Sequence, residues 1–219
     1  MAQLRSSPAF TFTALLSLAL GIGASVTMFS AFRAVFLRSI PYRNPDRIVE
    51  IEKTGRGTYT PAETIADLTF LRRSPRSLES VAGFGFFETA TLTGIAEPTD
   101  LWVRSVSEEL FALLGAQPIL GRTFLVRDFR SGAPQTVVLA YEIWQKYFHY
   151  DKNIIDRTIF LNEHGYVVIG VMPKAFYFPK AGTAAWLLER TPAGDPATTY
   201  TAIVARLRPR ITLSEADPN

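Results

Sequence analysis

The sequence predicts an α+β domain behind one N-terminal transmembrane helix, and three observations carry that prediction. The stretch FTFTALLSLALGIGASVTMFSAF, from Phe10 to Phe32, holds no ionisable side chain. Beyond it, short runs alternate apolar and polar residues with period two, as half-buried strands require. Between those runs lie segments with apolar residues at helical spacing and with capping residues at their ends.

The apolar stretch is about 23 residues, and as a helix it rises roughly 34 Å against a hydrocarbon core of about 30 Å. A cleaved signal and a soluble core helix are the alternatives. A signal h-region is shorter, about 7–15 residues, and ends at small residues spaced as A-x-A, whereas here Ile22 stands at −3 to Ala24. The stretch therefore reads as an uncleaved helix over 9–32, with 1–8 before it. Ser17, Gly21 and Ser25 recur every four residues on one face, which suits close approach of a second helix. Glycine is also simply common in membrane helices. Residues 33–47 form a connector in which Arg33, Arg38 and Arg43 alternate with Val35, Phe36 and Ile40, a pattern that suits a lipid surface. Four arginines follow the helix and only Arg5 precedes it, so the positive-inside rule taken alone puts the domain in the cytoplasm.

The domain spans 48–219. RIVEIEK reads as a strand, and Thr60-Pro61 opens a helix with Ile65, Leu68 and Leu71 on one face. LESVAGFGFFETATLTG is a β-rich stretch with turn glycines, and TDLWVRSVS is a strand. Ser107 is placed to cap a helix that Gly115 ends. A strand at Thr136–Ala140 runs into the helix carrying Trp144, Tyr147 and Phe148. RTIFLNEHGYVVIGVMP predicts a hairpin, with Gly165 taking the positive φ of its turn and with Ile159, Leu161, Val167 and Ile169 on one face. TYTAIVARLRP is a last strand, and TLSEADPN begins like a capped helix.

Chemistry is sparse. The chain has no cysteine, so disulfides and thiolate metal sites are excluded. The net charge of +3 is spread without a basic block, which gives nucleic acid no footprint. No phosphate-cradling loop, nucleophile elbow or zinc-protease motif occurs. His149 and His164 lie at a helix end and in a turn and read as solvated. Asp128 and Asp151 read as turn formers. Phe84, Phe86 and Phe87, like Trp144, Tyr147 and Phe148, read as core. No catalytic residue, cofactor or metal site is expected.

The segments SEELFALLGAQPILGRTF, RDFRSGAPQTVVLAYEIWQKYF, RTIFLNEHGYVVIGVMPKAFYFP and ARLRPRITLSEA, together with the N-terminal stretch, resemble the MacB-type periplasmic core domain. That domain stands at the start of ABC transporter permeases of the MacB/FtsX class, and the resemblance is to the acidobacterial-type permeases in particular. On this resemblance Gly121, Arg122, Asp128, Trp144, Gly170 and Pro173 are fold-defining rather than catalytic. Arg210 stands where the family pattern has glycine. The resemblance implies a noncatalytic membrane component with its outer domain outside the bacterial inner membrane, against the charge count. It implies an ABC ATPase as the partner that binds ATP, a homodimer through the membrane helices, a periplasmic adaptor and contact with membrane lipid. The family chain continues into further membrane helices, so the expectation is a chain truncated at Asn219. The reading from residues alone leaves a second possibility, an anchored periplasmic binding or adaptor module independent of ATP.

Overall fold

The computed structural model describes residues 12, 16, 18–19, 22–23, 42–51, 63–73, 77–130, 132–174, 176–188, 199–200 and 202–211. The chain divides into two units, Met1–Ile40 and Pro41–Asn219. In the first, Phe12, Leu16, Leu18, Ala19, Ile22 and Gly23 are helical and exposed. Ser17, Gly21 and Ser25, with most of the expected 9–32 helix, lie outside the described residues. Among the described residues no helix is long and apolar enough to cross a membrane.

The second unit runs β1 (Ile48–Ile51), β2 (Glu63–Thr64), α1 (Ile65–Arg72), β3 (Leu78–Thr93), β4 (Thr99–Val106), α2 (Leu110–Leu114), β5 (Leu120–Gly121), β6 (Thr136–Leu139), α3 (Tyr141–Phe148), β7 (Thr158–Leu161), β8 (His164–Val171), β9 (Ala185–Leu188), β10 (Thr199–Tyr200) and β11 (Ala202–Leu207). One sheet has the order β1-β11-β3-β4-β9-β6-β8-β5, with β7 paired to both β3 and β8, while β2 and β10 pair separately. Because β7 bridges β3 and β8, the path β3-β4-β9-β6-β8-β7 returns to its start. It is a closed six-stranded ring, and β11 and β1 extend the sheet from the first half of β3.

Period-two alternation divides the core into two layers. Leu92, Leu101, Val103, Val137, Leu139, Ile159, Leu161, Val168 and Val171 meet inside the ring, as expected for a barrel small enough to be filled by its own side chains. Phe84, Val106, Val138, Ile169, Trp186 and Leu188 face outward and are covered by the buried residues of α2. Trp144 of α3 packs on the inner cluster, and Leu68 of α1 covers Val81, Ile203 and Ala205.

The packing corrects several local expectations. The hairpin turn is Asn162-Glu163, both at positive φ (49° and 65°), whereas Gly165 lies within β8 opposite Phe160. That places Tyr166 opposite Ile159 and Val167 opposite Thr158. Directly opposite residues share a face, so Ile159 goes with Tyr166 and not with Val167, and Ile159 and Leu161 enter the ring while Val167 and Ile169 join the outer layer. The Ser107 hydroxyl does not cap α2. It accepts the Gly83 N–H at 3.1 Å, because Ser107 is buried at the end of β4 beside β3. Gly83 and Gly85 are not turn residues but lie inside β3, which shifts register between Phe84 and Phe87. A Cβ on Gly85 would stand 2.1 Å from Ser105 Oγ. The same irregularity turns Phe86 out to solvent, so it is not core. The expected start at Thr60-Pro61 lies outside the described residues, and Glu63-Thr64 pair with Tyr200-Thr199 before α1 begins at Ile65. The segment after Ile211 also lies outside them. Gly115 does close α2 in the left-handed conformation, φ 68°. The sequence reading missed β5 and β9, and β9 is central to the ring.

Candidate functional site

Two arginine clusters fasten the chain's incoming segment and the loop after β5 to the core. The first and last strands of the sheet are neighbours, with Ile48 of β1 opposite Arg206 of β11. Arg206 is buried. Its Nε donates to the Leu113 carbonyl at 2.9 Å and a terminal nitrogen donates to the Asn44 carbonyl at 3.4 Å. One guanidinium thus holds the incoming turn, the last strand and the C-terminus of α2, whose carbonyls have no helical donors. Arg47 Nε donates to the Leu207 carbonyl at 2.9 Å, and the same side chain is ion-paired with Glu79 of β3. Arg43 N–H donates to the Leu114 carbonyl at 2.9 Å. The Tyr42 hydroxyl donates to the Tyr177 carbonyl at 2.9 Å, and its ring meets Phe176 and Phe178 edge-on at 6.0 and 5.9 Å. Burial pushes the Tyr42 hydroxyl well above its ordinary pKa and lowers that of Arg206. An arginine stays charged across the physiological range even so, which leaves the clasp insensitive to pH there.

The second cluster gathers four of the six motif residues. Gly121 of β5 lies opposite Gly170 of β8. Gly121 has φ 68°, and a Cβ there would stand 2.2 Å from the Ile169 carbonyl oxygen. A Cβ on Gly170 would stand 2.2 Å from the Arg122 carbonyl oxygen. Arg122 N–H donates to the Ile169 carbonyl at 2.8 Å, and its guanidinium takes both oxygens of buried Asp128, at 2.5 and 2.8 Å. The same carboxylate accepts the Leu125 N–H at 2.9 Å, so Asp128 shapes the turn as expected and also anchors it. Trp144 and Pro173 lie elsewhere. The indole N–H of Trp144 donates to the Asp151 carbonyl at 2.8 Å, and the Pro173 carbonyl accepts the Phe176 N–H at 3.1 Å.

Burial alone would raise the Asp128 pKa, but the hydrogen bonds from Arg122 and Leu125 outweigh it and hold the carboxyl below its ordinary value. A group whose pKa is depressed by folding stabilises the fold above its unfolded pKa and loses that contribution as pH falls through the folded one. The full chain is expected to lose stability as pH drops below about 4. In thermal melts at stepped pH, Asp128→Asn should flatten that loss, and an unchanged acid limb would show that the pair contributes nothing to it.

His149 ends α3 at φ 49°, and exposed His164 has Nδ1 2.7 Å from the Asn162 carbonyl oxygen. Asp151 accepts the Asn153 N–H at 2.9 Å and pairs with Arg157, as a turn former does. Among the described residues no three His, Asp or Glu side chains converge as metal ligands. Sequence reasoning passed over Arg206, and also Arg104, which is buried with its guanidinium carbon 3.6 Å from the Phe87 ring centroid and one N–H on the Gly85 carbonyl at 2.8 Å. The signal was there. LWVRSV and AIVARL each set an arginine inside an apolar strand, where a cation requires carbonyls or an aromatic face. Arg210, in the family's glycine position, adopts φ 73° itself.

No curated protein matches the sequence. Among solved structures, the chain is similar to the periplasmic region of MacB from Actinobacillus actinomycetemcomitans. Identity is 17%, with 82% of this chain and 83% of that one covered at a TM-score of 0.60. It is also similar to the extracellular domain of the noncanonic ABC-type transporter YknZ from Gram-positive bacteria, at 16% identity over 73% and 81% of the two chains, with a TM-score of 0.53. These likenesses show a shared fold. The family model described as MacB-like periplasmic core domain matches residues 11–217, and on that match the chain belongs to the MacB-like periplasmic core domain family.

Proposed function

We propose that this chain is a noncatalytic, membrane-anchored part of an ABC-type transporter permease. Residues 9–32 form the anchor, 33–47 the connector at the lipid surface and 48–219 the outer domain. In this reading a separate ATPase binds and hydrolyses ATP, and its work reaches the outer domain to drive export or mechanical action on extracytoplasmic substrates. Two copies pair through Ser17, Gly21 and Ser25, and a periplasmic adaptor meets the outer domain. Gly121, Arg122, Asp128, Trp144, Gly170 and Pro173 serve the fold.

The observation that carries this reading is the clasp at Arg206. β1 and β11 lie side by side, and the guanidinium of Arg206 in β11 holds both the incoming turn at Asn44 and the end of α2, so a displacement of either strand is passed to the rest of the domain. Transmission needs two states that differ in contacts, and a stiff lever conveys the displacement between them. The family match and the likeness to periplasmic and extracellular domains of transporters support the outer placement.

The test uses the absence of native cysteine. Glu163→Cys, at the exposed hairpin turn, is expected to react with a membrane-impermeant maleimide in intact spheroplasts and to remain in the membrane after alkaline extraction. Labelling only after lysis would place the domain in the cytoplasm, where the arginine count puts it. In membranes holding the copurified ATPase, amide exchange in β1 and β11 should differ between ATP and ADP with vanadate, and identical exchange in both states would sink the coupling.

A further inference from the structure

The loop that Arg122 and Asp128 hold in shape presents an unusual outer surface. Ile119, Leu125, Val126 and Phe129 are 45%, 42%, 69% and 43% exposed. Interleaved with them, Arg127 and Arg130 are exposed, and among the described residues neither is ion-paired. The acid of the segment, Asp128, is buried and occupied by Arg122 and the Leu125 N–H. The exposed side chains of the loop are therefore apolar or positively charged.

This exposure is built in rather than a frayed end. Phe124, within the same loop, is buried against Phe111 at 5.7 Å. Residues Val126–Phe129 form a 3-10 turn closed by the Asp128 carboxylate. Arginine and phenylalanine are also common at protein interfaces, but a protein contact does not depend on lipid charge, and the test below separates the two. A second copy of this face would set arginine against arginine. Apolar tips flanked by snorkelling arginines instead match a bilayer interface with anionic headgroups. The location agrees. Phe111 touches Phe176 at 5.9 Å and Phe176 touches Tyr42 at 6.0 Å, so the loop stands on the aromatic cluster that seats the incoming chain.

We infer that residues 119–130 form a docking knuckle for the anionic lipid surface of the membrane in which the chain is anchored. The inference rests on the anchored reading above. Val126 and Phe129 enter the headgroup boundary while Arg127 and Arg130 meet lipid phosphates, which gives the outer domain a second, reversible contact with the bilayer.

The full chain is reconstituted in nanodiscs of phosphatidylcholine with or without phosphatidylglycerol, carrying an environment-sensitive fluorophore on Val126→Cys. Glu163→Cys is the control, because β8 separates its turn from the knuckle by about 26 Å. The expected result is a blue shift and quenching by shallow spin-labelled lipid at position 126 in discs with phosphatidylglycerol. Position 163 should stay in water. Neutralising both Arg127 and Arg130 to Gln should lower the ratio of docked to undocked label on the order of thirtyfold, and high salt should act in the same direction. A label at 126 that remains in water in both discs overturns the inference. So does one shielded equally without phosphatidylglycerol, which would indicate a protein contact. Recovery of the chain with the discs reports the anchor separately. If the chain is not retained, the anchored reading fails and the inference with it.

Discussion

Ile169→Asp is expected to abolish the folded second unit. Ile169 is 3% exposed in the outer core layer beside Trp186 and α2, at the position where β8 steps out of register with β6. An aspartate there finds no cation in that apolar cluster, and the cost of burying it is several kcal/mol whether it stays charged or takes up a proton. Domains of this size are held by about 5–15 kcal/mol, so one substitution consumes most of the margin. Ile169→Val removes one methylene and should cost about 1 kcal/mol. His164→Ala, at an exposed turn, should stay within about 0.5 kcal/mol. Near-ultraviolet circular dichroism and thermal melts of the full chain in detergent separate the three. A folded Ile169→Asp protein, or a His164→Ala protein damaged as badly, would show that the layer assignment is mistaken.

Gly170→Val is expected to detach β5 from β8 without dissolving the ring. A side chain at Gly170 meets the Arg122 carbonyl at 2.2 Å, a backbone atom that cannot swing aside. β5 must move, and the Arg122 N–H bond to Ile169 and the pairing of Leu120 with Val171 go with it. Overpacking and the lost hydrogen bonds together cost about 3 kcal/mol or more, which is about 10 °C in Tm for a domain of this length. Amide exchange should rise steeply through 119–130 while β6 and β9 stay protected. Uniform loss of protection across the ring would mean that β5 is integral to it.

Much of this was legible because strands with one buried face write their alternation into the sequence. RIVEIEK, TDLWVRSVS and the strand at Thr136 became β1, β4 and β6. The hairpin at Asn162 was also visible, yet the expected common face fails, because across this turn the odd positions of β7 lie opposite the even positions of β8. Alternation says which residues share a face but not which face is which, and Asn162 and Glu163 reach positive φ without glycine. β9 escaped because AWLL is buried on both sides and has no polar phase to read. The closure of the ring depends on β7 meeting β3, a contact more than sixty residues apart that no local pattern encodes. In the candidate site, the glycines and the Arg122–Asp128 pair could be selected through a family resemblance. Arg206 could have been found by asking what a cation does inside AIVARL.

The position of β11 also dictates when the second unit can exist. Residues 202–207 lie between β1 and β3, so the two earliest long strands of the sheet have no pairing with each other and wait for a segment made some 150 residues after β1. Folding cannot follow the order of synthesis, and until Leu207 emerges β1 has no partner in the main sheet and the first half of β3 keeps an open edge. The late strand that joins the two halves is also the one whose Arg206 ties down the incoming turn.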